Sequence, residues 1–385
     1  MPRDVAGTLR ALAALALAGL AGCATWQPVE VTDSWTLYAR PDAEVDAAAF
    51  ELALEPAFEA IEARMGAFER RVRVHAWDGR ATDVTLPGDG QVQEVPGLGS
   101  ARVRAYHVRP GANPFRADGV FLGTTEVGTI AHELVHARLA ESGGTLPLWF
   151  EEGLASLWGD GVLFDGRWTV DGLACWPLRE LRDEDLDDAE LASLLRLRAS
   201  DATDGRANLL VHFVGWAIVF DLARHDPHAD WRTWLATFER GARDEGLVAH
   251  ARRRLQHTLE ADVESAWLER LRDPDPALRL AAARGLWKLR SLEAVDRLLD
   301  ALPDETHPEV RYALAMNAFL AAPEMRLGRA RWLRIRERAL PVLRAPELPD
   351  EREAAAAAAF FRTLYGRRRG SSGDSLAALN RYWEE

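Results

Sequence analysis

Apolar positions along this chain change period several times, and each change marks a new element. Behind Arg3 and Arg10 runs an uncharged stretch of Ala, Leu and Gly over residues 11–20, about half the length a membrane-spanning helix needs. It reads as the apolar core of a secretory signal peptide over 1–22. Residues 23–34 read as a tether, and Trp35-Thr-Leu-Tyr38 as a strand. Over 46–66, Phe50, Leu54, Phe58, Ile61 and Met65 recur at helical spacing. Arg71 to Trp77 alternates with period two and predicts a strand. Residues 78–100 hold many Gly, Pro and Asp and predict a loop or irregular hairpin. Strands are expected over 103–108 and 119–122, with helical signals from Thr125. From about 185 onward the pattern is helical, with helices over 207–224, 229–242, 244–256 and 259–271.

The segment 273–322 repeats internally. Asp275-Pro-Ala-Leu-Arg-Leu-Ala281 recurs as His307-Pro-Glu-Val-Arg-Tyr-Ala313, which pairs Pro276 with Pro308, Arg279 with Arg311 and Trp287 with Phe319. Each unit is a Pro-started helix followed by a second helix, and the pattern resembles HEAT repeats. Two units cannot bury a core alone, so the helices after 323 are expected to close the stack. The pattern predicts an α+β fold. A mixed N-terminal sheet (35–124) packs on a helix carrying the chemistry (125–160), followed by a helical subdomain (185–272). Residues 273–385 form the HEAT-like region. The first three parts make one domain, 35–272.

Composition is that of a folded chain, with 48% hydrophobic residues and 28% charged. A formal net charge of -13 argues against nucleic-acid binding, which needs a basic face. The acidic run Asp183 to Glu190 reads as helix capping and solvation, and Arg367-Arg-Arg369 as a solvated turn. Gly88-Asp-Gly90 and Gly97-Leu-Gly99 are turn glycines, since no helix or Lys follows them as a phosphate loop requires. No Gly-x-Ser-x-Gly nucleophile elbow occurs.

Leu20-Ala-Gly-Cys23 closes the apolar run. It resembles the lipobox of bacterial lipoproteins, which implies cleavage before Cys23, lipidation of its sulfur and anchoring in the cell envelope. Several acyl chains on one residue give stable anchoring. Ala24 after the Cys leans towards the outer membrane by resemblance to enterobacterial sorting. The only other cysteine, Cys175, then has no disulfide partner and is expected to be buried in packing.

His132-Glu133-Leu-Val-His136 carries the chemistry. Two histidines four apart share one face of a helix, and their imidazoles can reach one zinc ion. Glu133 can then accept the proton of a water activated by that metal. Downstream lies Pro147-Leu-Trp149-Phe-Glu-Glu152-Gly153-Leu-Ala155. Together these segments resemble the gluzincins, most of all the peptidase-MA-like group, whose pattern is HExxH followed by Pro-x-Trp-x-x-Glu-Gly-x-Ala. The resemblance implies a zinc metallopeptidase with His132, His136 and Glu152 as ligands, and it leaves Glu151 solvent-facing or behind the ligands. Gly143-Gly144 permits the turn between the two helices.

Two departures stand out. Such enzymes often carry an acid four residues after the Glu ligand, and here that residue is Ser156. Where related sequences are expected to show Tyr-x-x-x-Trp, this chain has His212-Phe-Val-Gly-Trp216. His212 can donate to an oxyanion, or it can be an ordinary core histidine. The expected activity is peptide-bond hydrolysis at the envelope, with a peptide or protein substrate and a protein partner on the repeats. Two alternatives are an envelope scaffold whose zinc site is not catalytic, and a metallohydrolase acting on cell-wall peptides.

Overall fold

The computed structural model describes residues 26–39, 45–76, 94–95, 99–100, 105–108, 119–143, 145–170, 178–198, 205–261, 263–289, 291–321, 328–349, 351, 354–355, 357–359 and 361. The expectations for the signal peptide, Cys23, Cys175 and the Arg367–Arg369 turn lie outside them. Two compact units divide the chain. The first takes residues up to Gly172 together with Glu180–Ala261, and the second takes Leu173–Arg179 and Asp262–Glu385.

The first unit is built on a five-stranded sheet. β1 (Gln27–Val31) pairs antiparallel with β2 (Trp35–Ala39). The sheet thus begins inside the stretch expected to be a tether. Its residues were hard to read because β1 lies at the sheet edge, with most of its side chains exposed. β2 runs parallel to β3 (Val72–Ala76) and β3 parallel to β7 (Gly119–Leu122), while β6 (Ala105–Val108) returns antiparallel to β7. The spatial order is β1-β2-β3-β7-β6. A parallel pair needs a crossover, and α1 (Ala47–Met65) supplies it between β2 and β3. Asp46 caps α1 by accepting from the Ala49 N–H, and the buried stripe is the expected one: Phe50, Leu54, Phe58, Ile61 and Met65. β4 (Glu94–Val95) and β5 (Gly99–Ser100) form a short hairpin in the irregular stretch.

β7 anchors the start of the helix that bears the two spaced histidines. Val120, Phe121 and Leu122 are buried, and the chain leaves them for α2 (Val127–Glu141), which contains residues 132–136. α3 (Leu148–Gly159) comes next, begun by Pro147. β8 (Val162–Phe164) and β9 (Arg167–Thr169) then make a hairpin that the sequence did not announce. Its strands are three residues each, too short for a period-two pattern to register. The rest of the unit is helical: α4 (Leu178–Arg182, at the boundary between the units), α5 (Asp188–Arg196), α6 (Gly205–His225), α7 (Trp231–Glu245) and α8 (Leu247–Leu259). α6 is apolar and long enough to cross a membrane by composition, yet 67% of its apolar stretch is buried inside the protein, as a core helix is.

The second unit stacks α9 (Val263–Arg270), α10 (Pro276–Leu289), α11 (Leu292–Ala301) and α12 (Pro308–Ala321), followed by α13 (Arg329–Arg334). α13 passes through a π turn at Ile335–Ala339 into α14 (Leu340–Arg344). Pro276 and Pro308 both open helices, where the missing N–H costs nothing. Arg279 donates to both oxygens of Glu305 at 2.8 and 3.0 Å, and Arg311, its counterpart in the repeat, reaches Glu347 at 3.4 Å. The division at Ala261 moves α9 out of the domain expected to end at 272 and into the repeat unit.

Candidate metal centre

Two close helix crossings assemble the site, and each depends on glycine. At the first, Gly128 of α2 meets Gly159 of α3; a Cβ on Gly159 would lie 2.9 Å from the Gly128 carbonyl oxygen and 3.0 Å from the His132 Cβ. At the second, a Cβ on Gly153 would overlap the Gly215 carbonyl, and a Cβ on Gly215 would overlap the Trp149 carbonyl oxygen. Backbone therefore packs on backbone between α3 and α6. That contact brings His212, one turn before Gly215, against Glu152, next to Gly153. Trp149 and Ala155, on either side, are fully packed, and Trp149 lies 4.5 Å from the Phe238 ring of α7.

Four donor groups converge there. His132 Nε2 lies 3.2 Å from His136 Nε2. Glu152 Oε2 lies 3.5 Å from His132 Nε2, 3.3 Å from His136 Nε2 and 2.9 Å from His212 Nε2. Ligands at 2.0–2.1 Å from a tetrahedral zinc sit roughly 3.3–3.4 Å apart. The spacing of the first three donors therefore fits one zinc ion, and so does the set of two imidazoles and a carboxylate. Glu152 Oε2 is buried and makes no hydrogen bond of ordinary geometry despite its three imidazole neighbours. A cation placed among those lone pairs would give that oxygen a partner.

The outer nitrogens are held. His136 Nδ1 is 3.1 Å from Glu151 Oε1, and His212 Nδ1 is 2.7 Å from the Asn208 carbonyl oxygen. A metal-binding imidazole typically donates its other N–H to such a group, which fixes its tautomer and orientation. Glu151 is buried rather than solvent-facing, and only the alternative placement behind the ligands stands. It also answers the absence of an acid at Ser156: a carboxylate does stand behind a histidine, but it comes from the neighbour of Glu152. Ser156 is itself buried, and its hydroxyl has no hydrogen-bond partner among the described residues.

Charge is distributed unevenly. Burial pushes the Glu133 carboxyl above its ordinary value, while His132, His136 and His212 pull it down and Glu152 adds to the rise. For His136, burial opposes protonation, yet the Glu152 charge and contacts with Glu151 and Glu152 hold its imidazole well above the usual range. Burial likewise opposes ionisation of Glu152, and the imidazoles of His212, His136 and His132 outweigh it, holding the carboxyl well below its usual value. His212 is raised too: burial works against it, and Glu152 and the Asn208 carbonyl prevail.

All five expected site residues in the described chain thus meet in one place: His132, Glu133, His136, Glu152 and His212. Sequence reasoning left the place of Glu151 open between two alternatives, and it missed the roles of the Asn208 carbonyl and the paired glycines. The Gly128/Gly159 and Gly153/Gly215 crossings were readable only as small residues inside apolar helices, a weak signal. Compared with known proteins, residues 264–360 match the family model of HEAT repeats. The match starts close to the boundary at Asp262 and includes α9, so the repeats begin before the expected residue 273. No curated protein and no solved structure matches the chain.

Proposed function

We propose that the first unit is a zinc-dependent metallopeptidase of the gluzincin type, hydrolysing peptide bonds at the bacterial cell envelope. The observation that carries this reading is the convergence of His132 Nε2, His136 Nε2 and Glu152 Oε2 at 3.2–3.5 Å beside the buried carboxyl of Glu133. These three residues would hold the ion. Zinc bound there supplies Lewis-acid polarisation of the scissile carbonyl and acidifies a water.

The chain's own groups do the rest. Glu133 takes a proton from the attacking water as its oxygen bonds to the carbonyl carbon. It then passes that proton to the leaving nitrogen as the C–N bond breaks. Burial raises its pKa, which strengthens it as the base of the first half, and the proton it has taken is the one it returns in the second. His212, protonated over a wider pH range through Glu152, donates to the oxygen that gains charge in the tetrahedral intermediate. Glu151 keeps His136 turned inward. We place the protein at the envelope, outer membrane favoured over inner, through a lipidated Cys23, on the strength of Leu20-Ala-Gly-Cys23. The repeats are the surface for a protein partner, since stacked helical repeats build extended binding faces.

The scaffold reading draws on the HEAT match, but a purely structural zinc site has no use for a buried base such as Glu133. The test is metal content of the purified protein. About one zinc per chain is expected at this site, lost in His132→Ala/His136→Ala. Equal content at this site in both would overturn the reading.

A further inference from the structure

α6 carries a second cluster at its other end. Asp221 is buried near the C-terminus of α6, His225 follows one turn later on the same face, and His257 projects from α8. One ligand atom from each of the three lies within 4.8 Å of those of the other two. The His225 and His257 rings stack at 5.9 Å. The cluster lines a cavity of about 380 Å³ that opens to solvent and is bordered by Arg224 and Glu260.

The hydrogen bonding leaves donors unused. Asp221 Oδ2 accepts from Arg254 at 2.7 Å, which settles one oxygen of the carboxylate. Asp221 Oδ1 has two imidazole neighbours, His225 Nδ1 at 3.3 Å and His257 Nδ1 at 3.5 Å. His225 Nδ1 lies closer, at 2.7 Å, to the Asp221 backbone carbonyl oxygen; with its proton on that nitrogen, Nε2 carries the lone pair of the ring. His257 Nδ1 is buried and hydrogen-bonds to nothing among the described residues. His257 Nδ1 and Asp221 Oδ1, 3.5 Å apart, stand at about the spacing of two ligands on one zinc ion. Arg254 neutralises the carboxylate only in part of its coordination sphere, and Arg224 is turned over the Phe220 ring at 5.6 Å.

We propose that Asp221, His225 and His257 form a second binding site for a divalent transition metal. Two imidazoles and one carboxylate suit zinc, and equally nickel or copper, by ligand type. The site would bridge α6 to α8. It would brace the far end of the helix that delivers His212 to the first centre.

Zinc chloride titrated into the full chain in detergent tests this, read by calorimetry and by elemental analysis after dialysis. Wild type is expected to bind two zinc ions per chain, the second more weakly because the site is open to solvent. His225→Ala/His257→Ala should lose one of the two, and His132→Ala/His136→Ala should lose the other. His225 is 60% exposed, so His225→Ala alone is the variant safest for the fold; at least a tenfold weaker second site is expected from it. A single zinc per wild-type chain, retained at full affinity in His225→Ala/His257→Ala, overturns the second site and leaves the first intact. A single zinc retained in His132→Ala/His136→Ala and lost in the other pair overturns the first centre and supports the second.

Discussion

At the scale of single residues, the site depends on who holds which proton. In the metal-free protein His136 and His212 keep theirs to higher pH than ordinary histidines, and Glu152 stays ionised to lower pH than an ordinary carboxylate. Zinc needs the neutral imidazole. Filling the first centre at neutral pH should therefore release protons. Its apparent affinity should climb as pH rises through the raised His136 value and level off above it; Glu152, already ionised, adds nothing to the slope. Calorimetry at pH 7 in buffers of different ionisation heat reads the release, and none would contradict the charge distribution described. Glu151 gives a second outcome. Glu151→Gln keeps the shape but removes the charge behind His136, so zinc affinity should drop by about 10- to 100-fold with the fold intact. A chelator competition assay measures it; unchanged affinity would mean that the 3.1 Å contact is only packing.

At the scale of elements, the two glycine crossings decide whether the ligands meet. Gly215→Ala places a methyl against the Trp149 carbonyl, and neither backbone can yield without separating α3 from α6. Overpacking of this kind costs about 1–3 kcal/mol or more. The variant should unfold at lower denaturant and lose the His212–Glu152 approach; wild-type stability would argue that the helices are not so close in solution. In the repeats, Arg279 is the counterpart test. It spans from α10 to Glu305, whose oxygens it satisfies and whose carboxyl it helps hold below its ordinary value against burial, together with the His307 N–H. Arg279→Ala leaves that carboxylate with the His307 N–H but without its guanidinium, at a cost of about 1–3 kcal/mol. Because the Glu305 pKa is depressed, the contribution is present above the unfolded carboxylate range and is lost as pH falls through the folded value. Wild type and variant should therefore converge in acid-unfolding experiments. The helices were legible because their apolar stripes are long: Phe50 to Met65 in α1, and the Pro-started repeats with Arg279 and Arg311 in register. β1 was hidden by its exposed edge and the β8–β9 hairpin by its brevity. The HExxH spacing put His132 and His136 together. What brought His212 and Glu151 to them was tertiary contact, which local period does not record.

At the scale of the molecule, two units share one chain. The first holds the candidate metal centre, and the second holds the HEAT repeats. If Leu20-Ala-Gly-Cys23 acts as proposed, mass spectrometry of the native protein should find Cys23 as a lipid-modified amino terminus; an unmodified start elsewhere would contradict the anchor.

The central claim is that Glu133 moves protons while Glu152 holds the metal, and paired zinc content and peptide turnover on two variants test it most directly. Glu133→Gln cannot accept the proton, so zinc should remain bound and turnover should fall by about 10²- to 10⁴-fold. Glu152→Gln offers a poorer ligand oxygen, so zinc at the first centre should be lost along with turnover. If Glu133→Gln instead keeps full turnover of a peptide that the wild type cleaves, Glu133 is not the base and the proposed mechanism is wrong.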